Sequence, residues 1–321
     1  MYMFKYILKR IALMFLTFFI ILAICFTLIK MLQPEMPMMG NQAELEAARR
    51  EALGYNKPVM EQFGIYLRNI FTAWDWGTSW KIDYRANVGT VLASRLPPTV
   101  ILNAFSLLLS LPFGIVLGIY AALKKNRWQD HLISTLIMVF VSVPSYVYAY
   151  IVQYTLGFRL GWFPLIVSSL YDAGGTWLSG KMLHSMVLPI LSLSFGTIAE
   201  LARFTRAELT EALTSDYMLL ARTKGLTQRQ ATNRHALKNS MVPILPTIIG
   251  MIVGILAGSM IIEQIFAING IGKLYIQSIN MLDYDVFIAT SMFYTAISLS
   301  SIIIIDLSYG FLDPRVRMGA K

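Results

Sequence analysis

Six long apolar stretches constrain the fold of this chain more than any other feature of its sequence. A bilayer core about 30 Å thick requires roughly 20 apolar residues in an α-helix. Five of the stretches are long enough to cross such a core alone. The fourth is short and contains Pro189, so we expect it to continue beyond the membrane as a polar helix. The predicted spans cover residues 11–32, 99–123, 132–156, about 186–199, 241–262 and 287–311.

The composition agrees with an all-α integral membrane protein. Of the 321 residues, 56% are hydrophobic and 14% are charged, whereas a soluble domain carries about a quarter charged residues. These proportions exclude a disordered chain, a coiled coil and an ordinary cytosolic enzyme. The single cysteine, Cys25, rules out an intrachain disulfide.

The distribution of basic residues predicts the orientation in the membrane. The net charge is +9, which in a soluble protein would favour nucleic acid as a partner. In a membrane protein the same excess indicates basic cytoplasmic loops, so we expect no nucleic-acid partner. With the amino terminus inside, residues 1–10, 124–131, about 200–240 and 312–321 hold 16 of the 27 Lys and Arg residues. The positive-inside rule therefore predicts a multi-pass protein with both termini in the cytoplasm.

Two segments are too long to be simple connections between spans. Residues 33–98 form a polar insertion outside the membrane, with predicted helices over 42–53 and 59–71, and acids balance bases in it. Residues 200–240 form a basic segment inside. We divide the chain into an amino-terminal tail with the first span (1–32), the insertion (33–98), a five-helix core (99–314) and a cytoplasmic tail (315–321).

The basic inner segment has the features of a helix–glycine–helix element. A helix-forming stretch over 208–223 ends at Lys224 and Gly225, and glycine readily takes the positive φ found after a helix C-terminus. Thr227 is the predicted N-cap of a second helix over 228–239.

Residues around this second helix complete the pattern. Gln230 stands where a capping box requires it, and Pro243 and Pro246 are expected to mark the return to the membrane. Two interpretations remain open from the residues alone. The element is either a basic loop that touches anionic membrane lipid or a docking surface for a cytoplasmic partner.

Short strings spread along nearly the whole chain resemble the membrane permease subunits of ABC importers, within the oligopeptide/dipeptide/nickel family of the OppB and DppB kind. Each string is weak alone, and their joint order and spacing carry the resemblance. The strings are Leu53-Gly54-Tyr55-Asn56-Lys57-Pro58, Trp76-Gly77-Thr78-Ser79, Arg95-Leu96-Pro97-Pro98-Thr99, Gly161-Trp162-Phe163-Pro164, Arg203-Phe204-Thr205-Arg206, Asp216-Tyr217, Ala221-Arg222-Thr223-Lys224-Gly225-Leu226, Arg234-His235-Ala236-Leu237-Lys238-Asn239, Pro243, Glu263-Gln264-Ile265-Phe266, Gly270-Ile271-Gly272, Asp283-Tyr284 and Leu312-Asp313-Pro314-Arg315-Val316-Arg317.

The resemblance implies a type I ABC importer permease fold with six transmembrane helices and a helical extracellular insertion between the first two. It implies a bacterial cytoplasmic membrane location and one of two permease subunits in an ATP-driven importer of peptides. Oligopeptides are the expected substrates, and dipeptides or nickel chelates are the alternatives. The implied partners are a second, similar permease, two ATP-binding subunits that carry ATP and Mg²⁺, an extracytoplasmic peptide-binding protein and membrane lipid. No cofactor is expected in this chain.

The resemblance also assigns the inner segment a role. The family's cytoplasmic EAA loop aligns on Gly225, and this chain departs from it in ways that favour the peptide-permease branch, with Leu219 and Leu220 in place of Glu and Ala. The helix before Gly225 would then seat in a groove of an ATP-binding subunit. The residues expected to make that contact are Asp216, Tyr217, Ala221, Arg222, Lys224, Gly225 and Leu226. Ala221 would permit close approach, and the alternative is that Ala221 and Gly225 only shape the loop.

Few polar side chains are candidates for the transport path. Glu263 is a candidate for an external gate or for contact with a peptide amine, because a carboxylate at membrane depth is a functional candidate by default. Asn103 and Gln153 are candidates to line a cavity. The glycines at 250, 254 and 258 form a four-residue repeat that favours helix packing.

No catalytic, cofactor or metal site is predicted. The string Gly270-Ile271-Gly272-Lys273 is followed by Leu274 and fails the ATP-binding pattern. We therefore expect ATP hydrolysis in separate subunits. The rival from another class is a stand-alone channel or secondary carrier, which would require charged residues inside the spans. A membrane-bound enzyme would require an ionisable cluster there.

Overall fold

The computed structural model describes residues 2–32, 51, 54 and 57–312, which divide into two compact units. Unit 1 draws on residues 1–96 and 273–299, and unit 2 on residues 97–272 and 300–321. The helices in chain order are α1 (Tyr2–Leu32), α2 (Val59–Ala73), α3 (Val88–Leu123), α4 (Trp128–Ser142), α5 (Ser145–Val152), a π-helical segment (Gln153–Arg159), α6 (Gly180–Leu213), α7 (Asp216–Thr223), α8 (Gln228–Ala231), a second π-helical segment (Thr232–Ala236), α9 (Leu237–Gly254), α10 (Met260–Ile265), α11 (Ile271–Asn280) and α12 (Tyr284–Leu312). The predicted helix over 59–71 is confirmed as α2, whereas the predicted helix over 42–53 and the tail over 315–321 lie outside the described residues.

Within the described residues, five helical stretches are long and apolar enough to cross a membrane, and a bent pair raises the number to six. The five are Ile7–Met31, Val88–Leu123, Gly180–Leu213, Gln228–Gly254 and Tyr284–Ser308. The fourth predicted span does continue well beyond its apolar run, as expected. Its helix begins at Ser179, whose hydroxyl oxygen accepts a hydrogen bond from the Met182 amide at 3.2 Å.

The third predicted span is wrong as one straight helix. The residues over 132–156 fall in two segments, Trp128–Ser142 and Ser145–Arg159, which meet at 102°. Pro144 disfavours the helical conformation in the residue before it, and Val143 is extended, with φ −84° and ψ 126°. The proline therefore ends one helix and starts the next.

The fifth predicted span, 241–262, is also wrong as one helix. The helix starts earlier, at Gln228, runs through Pro243 and Pro246 and ends at Gly254. The two prolines thus lie inside the helix and not at its start. Gly258 has φ +69°, a conformation that L-residues rarely adopt, so the chain turns there before α10. The glycines at 250, 254 and 258 consequently do not share one helix face.

In unit 1, a buried carboxylate holds the turn that follows α2. Asp283 is 1% exposed and accepts a hydrogen bond from the Ser79 hydroxyl at 2.7 Å. Its carboxylate also accepts the amides of Trp80, Lys81 and Ile82 at 3.2, 3.0 and 3.1 Å. Charged acceptors form stronger hydrogen bonds than neutral ones, so this one side chain fixes a whole turn.

Replacement of Asp283 is predicted to destabilise the protein strongly. Asp283→Ala leaves a buried hydroxyl and several amides without their acceptor, which costs about 3 kcal/mol or more. Asp283→Asn keeps one acceptor oxygen, so it should lower the free energy of unfolding by less than Asp283→Ala does. The check is the thermal unfolding midpoint in detergent, with Glu61→Ala as the matched control. Among the described residues, Glu61 in the first turn of α2 forms an exposed ion pair with Lys57, so replacement of Glu61 should not change the midpoint measurably.

Candidate coupling surface

Two hydroxyls end α6 and separate it from α7. The Thr214 hydroxyl donates to the Glu211 carbonyl at 3.0 Å, and the Ser215 hydroxyl donates to the Ala212 carbonyl at 2.6 Å. Such bonds compete with the helical ladder, and Ser215 is extended, with φ −76° and ψ 156°. The single helix predicted over 208–223 is therefore wrong, because α7 is a separate short helix.

The exit from α7 follows the sequence prediction. Gly225 has φ +87°, and the Leu226 amide donates to the Ala221 carbonyl at 3.3 Å across the turn. The predicted capping box is present as well. The Gln230 amide donates to the Thr227 hydroxyl oxygen at 3.3 Å, and the Thr227 amide donates to the Gln230 side-chain oxygen at 3.0 Å. The chain is thus fixed at both ends of the Gly225 turn.

One face of α7 is buried within this chain. Met218 and Ala221 are 3% and 5% exposed and belong to a cluster of small and apolar side chains. Its other buried members are Ala122, Leu209, Ala212, Ala231 and Ala236. Ala221 therefore permits close approach of this chain's own helices, so its side chain is not part of a surface that a partner would contact. Leu226 packs partly buried against the same cluster.

The opposite face of α7 is exposed and partly apolar. Tyr217, Leu219 and Leu220 are 37%, 65% and 55% exposed. We define the coupling surface as these three residues with their exposed neighbours Asp216, Arg222, Lys224 and Gly225. A short helix that presents large apolar side chains beside positive charge is suited to lie in a groove of a partner protein. Leu219 and Leu220, the departures from the EAA pattern, are its most apolar members.

Glu263 is buried and does not line an accessible path. It is 0% exposed, and the Thr99 hydroxyl donates to it at 2.9 Å. The same hydroxyl oxygen accepts the Ile271 amide at 2.9 Å. A Cβ atom added to Gly258 would lie 2.6 Å from Glu263 Oε1, and one added to Gly272 would lie 3.0 Å from Oε2. The carboxylate is therefore enclosed by glycine backbone, which excludes a direct contact with substrate in this conformation.

The other two path candidates donate to backbone carbonyls. Asn103 Nδ2 donates to the Thr99 carbonyl at 2.7 Å, and Gln153 Nε2 donates to the Leu165 carbonyl at 2.7 Å. Asn103 and Glu263 thus both bind Thr99. Gln153 Nε2 also donates to the Ile265 carbonyl at 3.4 Å, on the same short helix α10 that carries Glu263.

Glycines do allow close packing between helices, but mainly at positions that were not predicted from the sequence. A Cβ atom on Gly118 would lie 2.6 Å from Thr205 Cβ, and one on Gly114 would lie 2.9 Å from Leu201 Cβ. Among the three predicted glycines, Gly250 packs against Ile305 and Gly254 has open space around it. The four-residue spacing of Gly114 and Gly118 is the signal that would have identified the contact between α3 and α6.

The long apolar helices define a class of protein, a multi-span membrane protein. Two family models match the chain. One, described as a binding-protein-dependent transport system inner membrane component, matches residues 114–318, and one for the N-terminal part matches residues 3–103. The chain belongs to this family, which confirms the resemblance, the multi-pass membrane location and the type I permease fold. It is the membrane component of such a system and not its ATPase.

Relatives with assigned names match almost end to end. The dipeptide transport system permease protein DppB of Lactococcus lactis subsp. cremoris is 37% identical over 319 residues, which are 98% of this chain and 100% of that protein. DppB of Bacillus subtilis is 33% identical over 320 residues, 99% of each chain. The oligopeptide transport system permease protein OppB of Salmonella typhimurium is 34% identical over 319 residues, 98% of this chain and 100% of that protein.

Gly270→Ala is predicted to disrupt the turn around Glu263. A Cβ atom at this position would collide with the Thr99 hydroxyl and with the Glu263 carboxylate. Since neither side chain has room to move, the overpacking should cost about 1–3 kcal/mol and lower the unfolding midpoint in detergent. Gly180→Ala is the matched control, because no atom lies within 4 Å of its added Cβ. Equal midpoints for the two variants would contradict the tight packing.

Proposed function

We propose that this protein is one of two membrane subunits of an ATP-driven importer of peptides. The observation that carries the proposal is the end-to-end similarity to permeases named for dipeptides and for oligopeptides. Oligopeptides remain our first assignment, and dipeptides are equally compatible with the named relatives. Nickel chelates are the remaining alternative within the family.

The coupling surface supplies the mechanism. ATP and Mg²⁺ would bind in two soluble subunits, and one of these would receive the exposed face of α7 in a groove. Because α7 is fixed to the helices beneath it by the Met218 and Ala221 cluster, movement of the soluble subunit would move the membrane helices as well. Such movement would alternate the access of the path between the two sides of the membrane.

The remaining partners follow from the same assignment. A second, similar permease would complete the path, and an extracytoplasmic peptide-binding protein would deliver the substrate. The positive-inside distribution supports cytoplasmic termini, and α7 would then lie on the side where ATP is available. A secondary carrier is a weaker assignment, because Glu263 is occupied by Thr99 and enclosed by glycines, which leaves it unsuited to an ion path.

The first experiment is purification of the tagged chain from its own membranes in a mild detergent. We expect a second multi-span permease and soluble ATPases to co-purify with it. Peptide uptake by proteoliposomes that contain this complex and its binding protein then tests the substrate, with di-, tri- and pentapeptides compared directly. Recovery of the chain alone, or as a homo-oligomer without ATPase, would contradict the proposal and favour a channel or carrier.

Leu219→Ser is predicted to uncouple the ATPase. It removes a large apolar side chain from the coupling surface, and central apolar anchors commonly carry much of an interface's binding free energy. We expect peptide-stimulated ATP hydrolysis to fall by about tenfold, with normal insertion of the chain in the membrane. Leu178→Ser is the matched control, because Leu178 is equally exposed, at 65%, in the loop before α6. An equal, small effect of both variants would exclude the coupling surface as the contact.

A further inference from the structure

An ion pair with a buried carboxylate joins α4 to α6 in unit 2. Asp130 lies in the first turn of α4, and its side chain is 2% exposed. Arg206 on α6 donates to both of its carboxylate oxygens, from Nε to Oδ1 at 2.5 Å and from Nη2 to Oδ2 at 2.8 Å. Two parallel hydrogen bonds of this kind fix direction as well as distance, because the guanidinium is planar and rigid.

The same carboxylate also fixes the turn between α3 and α4. The Asn126 amide donates to Asp130 Oδ2 at 3.0 Å, and the Ser134 hydroxyl donates to Oδ1 at 3.3 Å. Asn126 has φ +62°, a left-handed conformation that asparagine tolerates better than most residues. Asp130 thus receives hydrogen bonds from the turn, from its own helix and from α6.

Arg206 lies near the end of α6 that leads to the coupling surface. It lies two turns before α6 ends at Leu213, and α7 begins three residues after that end. Close to the pair, the backbone of Gly118 on α3 approaches Thr205 and the Ala202 carbonyl on α6. The pair therefore lies where the helix that leads to the coupling surface meets α3, α4 and the turn between them.

Apolar packing alone would hold these helices together less specifically. Small apolar side chains allow one helix to slide or rotate on another at modest cost, whereas a bidentate pair allows one register only. The Arg206 side chain is 31% exposed, whereas that of Asp130 is 2% exposed. A partly solvated pair contributes little net stability, but loss of Arg206 would leave a buried carboxylate without its charged partner, which is costly. The pair is thus better explained by a requirement for fixed geometry than by stability.

We propose that Asp130 and Arg206 are positioning residues that form a strut between α4 and α6. The strut makes the α3–α4 turn, α4 and the helix leading to the coupling surface move as one body. When a soluble partner displaces α7, α4 then moves together with α6, because α6 cannot slide along α4. This inference rests on the proposed function, because it assumes that α7 receives an ATP-driven displacement.

The test compares peptide uptake with ATP hydrolysis in proteoliposomes that contain the full complex. We expect Asp130→Asn and Arg206→Gln to lower the peptide taken up per ATP hydrolysed by about fivefold or more. Arg206→Lys, which keeps the positive charge and loses the bidentate geometry, should show a partial loss of this ratio. Arg203→Gln is the control, because Arg203 is exposed one turn earlier on the same helix. A wild-type ratio in the assembled Asp130→Asn complex would overturn the strut, even if less complex were recovered.

A second readout does not depend on the substrate. Spin labels at Trp128→Cys on α4 and Glu211→Cys on α6, in a Cys25→Ser background, report the distance between the two helices. We expect one narrow distance distribution with and without ATP, and a broad or shifted one after Asp130→Asn. An unchanged narrow distribution in that variant would overturn the strut. Failure of the wild-type complex to take up any peptide, with narrow distances retained, would contradict the proposed function and leave the strut supported.

Discussion

The close packing of α3 on α6 is the contact on which the coupling surface depends. Gly114 and Gly118 place the two backbones too close for any side chain between them. The line of small residues continues to Ala122, which shares a buried cluster with Ala221 under α7. The coupling helix is therefore seated on the same contact that joins two membrane helices. Ala221 acts from the inside of this arrangement, and the apolar residues that a partner would meet are Leu219 and Leu220.

Three buried acidic side chains serve as anchors for turns. Asp283 holds the turn over 79–82, Glu263 is enclosed by the glycines at 258, 270 and 272, and Asp130 holds the α3–α4 turn. Each accepts hydrogen bonds from this chain's own groups. Acidic groups used in this way do not supply the mobile proton or ion sites that a secondary carrier requires.

The sequence predicts what depends on local chemistry and composition. Long apolar runs identify most of the spans, and the Gly225 turn and the Thr227 capping box follow from residue types at fixed spacing. Pro144 lies inside the third predicted span, but a proline alone does not predict the 102° angle there, because that angle depends on packing that no local pattern encodes. Ala221 and Glu263 were assigned outward roles because a sequence does not say which face of a helix its own chain covers. The Asp130–Arg206 pair was missed because its partners are 76 residues apart.

The positions of the helix breaks determine which segments would move when α7 is displaced. From the Thr227 cap, helical structure continues without interruption over Gln228–Gly254, which is about 40 Å of helix. One end of this helical run packs beneath α7 through Ala231 and Ala236. The other end stops at the turn containing Gly258, against the Glu263 and Thr99 network. Since a long helix resists bending more than a glycine turn does, displacement at α7 would be absorbed at that turn. Glu263, a candidate for an external gate or for contact with a peptide amine, borders this turn and joins the backbone there through Thr99, which explains why a carboxylate is buried in this segment.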